Sequence, residues 1–196
     1  MSAQTSRSRS SYHHGDLRTA CLTAAVELLE EGADLSLRAV ARRAGVSPAA
    51  PYRHYADKDE LLSALAVLGY GELGRRLRDA YAQSATTADL APLGVAYVRF
   101  ALDRPALFRV MFTMACDSTA TERAAAAAQV QDFVRQAVAR AFPLADAEIL
   151  STAAWSLVHG LAFLHLDGKF DQSDEHAVDE RVRAALEAAF GPNRAS

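Results

Sequence analysis

The stretch Ser36-Leu-Arg-Ala-Val-Ala-Arg-Arg-Ala-Gly-Val-Ser-Pro-Ala-Ala-Pro-Tyr-Arg-His-Tyr55 constrains this chain more than any other. Leu37, Val40, Ala41 and Ala44 recur at helical spacing, so residues 37–44 present one apolar face while Arg38, Arg42 and Arg43 lie elsewhere. Ser36 is suited to cap that helix, and Leu35 can close against Val40 as a hydrophobic staple. Gly45 suits the left-handed position that ends it. After a Gly-Val-Ser turn, Ser47 and Pro48 read as an N-cap and first helical residue, and Val46 fills the gap between helices. The spacing therefore predicts a second helix over 48–54 and a helix-turn-helix. Pro51 removes the amide that would bond back to the Ser47 carbonyl, and we expect a local distortion there rather than the end of the helix.

A chain of 196 residues is too long to be that motif alone, and its 51% hydrophobic content argues against disorder. Abundant alanine and sparse β-branched residues favour helices throughout. Asp16 can cap a helix over 16–31, whose apolar set is Leu17, Cys21, Ala24, Ala25, Leu28 and Leu29, before a stop at Gly32. Asp57 caps another, with Glu60 in a capping-box position and Leu61 opening an apolar run to about residue 82. A helix shared between head and body leaves no flexible linker and can carry mechanical change. Five more helices are expected near 88–103, 105–112, 120–141, 147–166 and 174–190. Their breaks fall at Asp103-Arg-Pro105, Cys116-Asp-Ser-Thr119, Phe142-Pro143 and Asp167-Gly-Lys169. The expected fold is all-α, with about nine helices: a three-helix head over 13–62 and a helical body over 63–191. Strand patterns, internal repeats and glycine-rich phosphate loops are absent from the sequence. No uninterrupted apolar run approaches the roughly 20 residues that span a bilayer. No secretory core opens the chain, so we expect a cytoplasmic protein with no membrane partner. Cys21 reads as a small core residue, and with Cys116 it forms no metal or redox spacing.

The net charge of −3 is unevenly spread. Residues 1–55 carry seven arginines and five acids, whereas the remainder carries fourteen basic and nineteen acidic residues. A mildly basic head on an acidic body fits contact with DNA at one end. Ala49, Ala50 and Arg53 are candidates for base edges, since arginine can bond guanine twice and an alanine methyl can pack on thymine. Ser47, Tyr52, His54 and Lys58 are candidate phosphate contacts, and Ser36 and Arg38 can hold the opposite strand. Tyr52 suits core packing as well, and Tyr55 is expected to close the head. Arg42 and Arg43 read as solvated supports. Arg7 and Arg9, in a Ser/Arg-rich leader, suit a solvated tail or a phosphate or minor-groove contact.

In the body, Leu90, Leu93, Tyr97, Phe100 and Ala101 can share an interior with Leu107, Phe108, Met111, Phe112 and Met114. The same pattern serves an ordinary core or an apolar cavity, and Tyr97, Phe100, Phe108, Met111, Phe112, Trp155, His159 and Phe163 are the candidate pocket residues. Small and apolar residues on the last two helices offer a dimer seam. Ile149, Ala153, Leu157, Gly160 and Leu164 stand on one, Val178, Val182 and Leu186 on the other, although such stripes can also complete a monomer core. Six histidines invite a catalytic or metal reading. None falls in a metal-ligand or nucleophile–base arrangement, so neither a cofactor nor a catalytic residue is assigned. His159 can share a helix face with Trp155, where it would touch a ligand or satisfy a core carbonyl.

The head, from Leu35 to Leu62 with the preceding His14-Gly-Asp-Leu17, resembles the TetR family of bacterial transcriptional regulators. Trp155-Ser-Leu-Val-His159-Gly160 resembles the signature of a C-terminal subgroup called WHG. The resemblance implies a homodimer, a palindromic double-stranded operator, and repression relieved by a small molecule, which the candidate pocket residues make a hydrophobic or amphipathic effector. It also implies phosphate contacts by Tyr52 and Lys58 and a core position for Tyr55. Ala50-Pro51 departs from the commoner Thr-Leu before that tyrosine. A helical protein-interaction module that never touches DNA, or a small all-helical enzyme, are the competing readings, and binding to operator-length DNA separates them.

Overall fold

The computed structural model describes residues 14–84, 89–113 and 121–191. Arg7, Arg9, Met114, Cys116 and the break at 116–119 lie outside them. Among the described residues the chain forms eight α-helices and one 3-10 turn, with no strand. They fall into two compact units divided between Leu62 and Ser63.

The first unit holds α1 (His14–Glu30), α2 (Leu37–Arg43) and the 3-10 turn Pro51–Arg53, and ends within α3 (Lys58–Ala82). Ser36 caps α2 by accepting from the Ala39 amide at 3.2 Å. Gly45, at φ +67°, lets the chain reverse so that the Val46 amide reaches the Ala41 carbonyl at 3.0 Å. Cys21, Ala25, Leu28, Leu35, Val40 and Tyr55 are buried together as the small core. Arg43 ties α2 to α1 through Glu27 at 3.3 Å and to the turn that follows α1 through Glu31 at 2.9 Å, a more specific job than a solvated support. Asp57 and Glu60 form the capping pair of α3. The Glu60 amide donates to Asp57 at 2.9 Å, and the Glu60 carboxylate reaches back to the Ala56 amide at 2.6 Å.

One element differs from the expectation. Residues 48–54 do not form an α-helix, and the expected ninth helix is a turn followed by the 3-10 segment. The Ala50 amide bonds to the Ser47 carbonyl and the Arg53 amide to the Ala50 carbonyl, both three residues back. Pro51 supplies the reason, because it has no amide for the four-residue bond and its ring crowds the carbonyl before it. Its ring is instead buried in the head.

The second unit contains the rest of α3 with α4 (Ala91–Asp103), α5 (Pro105–Thr113), α6 (Thr121–Ala141), α7 (Ala147–Leu166) and α8 (Glu175–Phe190). Asp146 and Asp174 cap α7 and α8 through side-chain bonds to first-turn amides. α4 is the centre of this unit, packed on α5, α7 and α8, while α6 lies against α7. Gly94 permits that approach, since Leu186, Val158 and Val182 crowd the place where its side chain would be. Arg99 fastens α4 to α8 through Asp179 at 2.7 Å, and Arg76 fastens α3 to the end of α4 through Asp103 at 2.6 Å.

Helix α7 has no uninterrupted apolar run long enough for a bilayer, in line with the sequence, but as a whole it is long and apolar. Its 20 residues meet the length and composition of a membrane-crossing helix. Ser151, Thr152 and Ser156 break the apolar run in sequence, yet each hydroxyl bonds to a carbonyl of the preceding turn and so adds little polarity to the surface. Only 22% of the apolar stretch is buried within the monomer, which leaves much of an apolar helix uncovered.

Candidate DNA interface and ligand cavity

The turn from Ser47 to His54 determines which head side chains face solvent. Pro51 and Tyr55 point into the core, with Tyr55 1% exposed, so the intervening Tyr52 and Arg53 point out. Tyr52 is 51% exposed, which removes core packing as its role. Ser47, Ala49 and Lys58 are exposed as well, Ala50 is half-buried, and Arg38 is exposed on α2. Lys58 is the first residue of α3, at the positive end of the helix dipole, whose Glu60 amide is capped by Asp57. Two further candidate phosphate contacts also have a place in the fold. The Ser36 hydroxyl oxygen is occupied by the Ala39 amide, and His54 is half-buried with its Nε2 covered by protein. The remaining exposed set offers two arginines, a lysine and a phenol, donors of the kind that phosphate and base edges accept, with the exposed carboxylates of Asp57, Asp59 and Glu60 beside Lys58.

The second unit encloses a cavity of about 300 Å³. Leu73 and Leu77 of α3, Leu93 of α4, Val130, Val134 and Val138 of α6, and Val158 of α7 make its apolar wall. Gln131, Asp132, Arg135, Glu148, Ser151 and Thr152 are the polar residues around it, and Arg135 is paired with Asp132 at 2.9 Å. Of the eight residues expected to line a pocket, Tyr97, Phe112 and Trp155 do so. Phe100, Phe108, Met111, His159 and Phe163 do not. Phe100 and Phe108 are wholly buried, and Met111 packs its thioether over Gly69. The expected residues do come together, but as a packed aromatic cluster around the His159 ring, with Phe112 at 4.6 Å, Phe163 at 4.9 Å and Phe108 at 5.6 Å between centroids. Aromatic residues fill space well, and the open volume lies on the aliphatic side of the cluster.

Tyr97 joins the cluster to the cavity. Its hydroxyl accepts from Trp155 Nε1 at 3.1 Å and pairs with His159 Nδ1 at 2.8 Å. Burial raises the Tyr97 hydroxyl well above the ordinary phenol value, and burial lowers His159, so both groups are neutral at pH 7. The cavity wall contributed by α6 was missed in the sequence. Val130, Val134 and Val138 recur every four residues on an otherwise alanine-rich helix, and that stripe was the available signal.

Comparison with known proteins decides the family. Residues 22–65 match the family model described as "Bacterial regulatory proteins, tetR family", and residues 90–189 match "Tetracyclin repressor-like, C-terminal domain". The chain belongs to the TetR family. It is a transcriptional regulator that acts by binding DNA. The first match covers the second half of α1, α2, the turn and the start of α3; the second covers α4 to α8 and hence most of the cavity wall. A solved protein of unknown function from Rhodococcus sp. RHA1 is 30% identical, with a TM-score of 0.81 over 94% of this chain and 100% of that one. A TetR-family regulator from Rhodococcus RHA1 shares the fold at 22% identity and a TM-score of 0.65, covering 87% of this chain and 95% of that one. PfmR, a TetR-family regulator from Thermus thermophilus, does so at 20% identity and a TM-score of 0.63, over 89% and 99% of the two chains.

The dimer seam expected on the last two helices divides in the structure. Val178, Val182 and Leu186 of α8 are buried within the monomer against α4, so they are core residues and not interface. On α7, Ile149 is 69% and Leu164 39% exposed, Ala153 and Gly160 are exposed, and Leu157 is half-buried. A side chain added at Gly160 would meet open space. The outer face of α7 is thus apolar, small-featured and uncovered.

Proposed function

We propose that this regulator is a homodimeric repressor that reads a palindromic operator and responds to a small, substantially apolar ligand held in the cavity of its second unit. Residues 13–62 act as the DNA-binding domain and residues 63–191 as the ligand-binding and dimerisation domain, in the compartment that holds the chromosome. Exposed Tyr52, Arg53 and Lys58, thrust outward by the buried Pro51 and Tyr55, are the observation that carries the DNA reading. Arg38, Ser47, Ala49 and Ala50 complete the surface, the Ser36 hydroxyl can still donate to phosphate while its oxygen caps α2, and half-buried His54 helps to shape it.

A single short reading element makes few base contacts, so useful specificity needs a second half-site and hence a second copy. The uncovered apolar face of α7 supports that pairing. Ligand response is supported by the cavity itself, whose volume is at the lower end of the roughly 300–1,000 Å³ of small-molecule sites. α3 is the helix common to both units, and a ligand favouring one disposition of it would change operator affinity. A coupling of about 1–3 kcal/mol corresponds to about 5–150-fold. The test is selection of genomic fragments by the purified full-length protein, followed by footprinting and sedimentation. A protected palindrome bound by a dimer is expected. Binding to all duplexes alike, or a stable monomer at micromolar concentration with and without DNA, would overturn the reading.

A further inference from the structure

The hydrogen bonds of the segment from Ser47 to His54 are spaced by three residues, and that spacing sorts its side chains. The Ala50 amide bonds to the Ser47 carbonyl at 2.9 Å, the Arg53 amide to the Ala50 carbonyl at 3.2 Å and the His54 amide to the Pro51 carbonyl at 2.9 Å. A 3-10 geometry turns the chain by about 120° per residue, so side chains three apart eclipse. Three lines result. Pro51 and His54 form the first, the proline buried in the head core and the histidine half-buried. Ala50 and Arg53 form the second, Ala49 and Tyr52 the third, and the two donor side chains, Tyr52 and Arg53, are both exposed.

A regular α-helix would sort the same residues otherwise. At about 100° per residue, Ala49 and Arg53 would stand only about 40° apart, with Ala50 about 60° beyond Arg53, and all three would face one groove together. The three-residue spacing instead puts about 120° between Ala49 and Arg53 and brings Ala50 into line with Arg53. Pro51 imposes this choice. It lacks the amide that an α-helix would bond to the Ser47 carbonyl, which the Ala50 amide takes instead, and its buried ring anchors the first line to the core. The third line carries Tyr52, a phenol suited to phosphate, and the second carries Arg53, which can bond guanine twice. We propose that Pro51 is a specificity-determining positioning residue. It turns Ala49 away from the base edges to the phosphate side with Tyr52, and leaves direct reading to Ala50 and Arg53. This rests on the reading of the exposed Ser47 to Lys58 surface as the DNA contact and names which of its side chains meet bases.

The test is selection from a randomised duplex library by the full-length protein and its variants, which reads the base preference at every position of the bound site. Glutamine reports on the two alanines because it bonds adenine at N6 and N7 when it meets a base edge. Ala50→Gln should create a preference for adenine at one base-pair position, about fivefold or more, the selectivity of a single good bidentate pair. Ala49→Gln should create none in the native chain, whatever it does to affinity for all duplexes. Pro51→Leu restores an amide and keeps an apolar side chain for the core. In that background Ala49→Gln should create the adenine preference that it lacks in the native chain. A proline that only stabilised the head would alter affinity and melting, and would not alter which position reads a base. Pro51→Ala is the second variant should leucine overfill the site, and urea melts establish that each protein is folded. An adenine preference from Ala49→Gln in the native chain overturns the assignment. So does its absence in both Pro51 variants, or the absence of any new preference from a folded Ala50→Gln. Arg53→Ala separates the assignment from the reading it rests on. Unchanged discrimination rejects base reading by the segment altogether; lost discrimination, with an adenine preference from Ala49→Gln in the native chain, rejects only the role given to Pro51.

Discussion

Replacing Gly94 by alanine tests how closely α4 approaches α8. An added Cβ would press into Leu186 Cδ1 and stand 3.2 Å from Val158 Cγ1 and 3.3 Å from Val182 Cγ1. Helix propensity favours the alanine by about 1 kcal/mol. Overpacking opposes it by about 1–3 kcal/mol, because both valines are stiff at χ1 and only Leu186 can turn away. The net expectation is a loss of about 1 kcal/mol, read as a lower urea midpoint at unchanged slope and fixed protein concentration. Gly71→Ala, with nothing within 4 Å of the new methyl, is the control and should gain close to the full propensity term. A second variant isolates the contact. Leu186→Ala costs about 2–5 kcal/mol in the native background. In Gly94→Ala it should cost about 1–2 kcal/mol less, since the new methyl occupies part of the vacated space. Leu186 also lines the cavity, so any rotation that relieves the clash should appear as a changed environment at Trp155. Strictly additive losses, or a Gly94→Ala protein as stable as Gly71→Ala, would refute the packing argument.

Lys58→Ala and Tyr52→Ala should weaken binding to every duplex, whereas Arg53→Ala should cost about 1–3 kcal/mol on the preferred operator and flatten discrimination across single-base variants. Unchanged discrimination by the Arg53 variant removes it from base reading. Gly160→Trp, placed where there is open space in the monomer, should leave the fold intact and shift sedimentation toward monomer; a persistent dimer of normal affinity moves the seam off α7. His165 is wholly buried, and burial, with Arg181 adding to it and Asp171 opposing, lowers its pKa below the ordinary 6.5. The unfolded chain therefore binds the proton more readily, and stability present above pH 6.5 is lost as pH falls toward the folded value. His165→Phe should lose less stability than the native chain from pH 7 to 5 in urea melts, and parallel losses would show that His165 carries no part of the acid sensitivity.

Much of the architecture is written in local terms that need no tertiary information. Ser36, Asp57, Asp146 and Asp174 cap helices because a short side-chain acceptor reaches first-turn amides whatever lies around it. Gly45 turns the chain because a left-handed residue is required there. Apolar periodicity likewise placed α1 to α8 near their observed positions. Three matters were decided only by packing. Pro51 could distort a helix or convert it, and the outcome depended on its ring finding a place in the head core. Val178, Val182 and Leu186 have the same apolar spacing as Ile149, Ala153 and Leu157, yet the first three are buried against α4 while Ile149 and Ala153 are exposed and Leu157 is half-buried. Periodicity identifies a stripe without saying what covers it. The cavity was the least legible feature. Aromatic residues advertised it, but they packed against one another around His159, and the open space formed beside an aliphatic stripe of α6. Volume left empty depends on the separation of helices distant in sequence, and no residue carries that distance in its own chemistry.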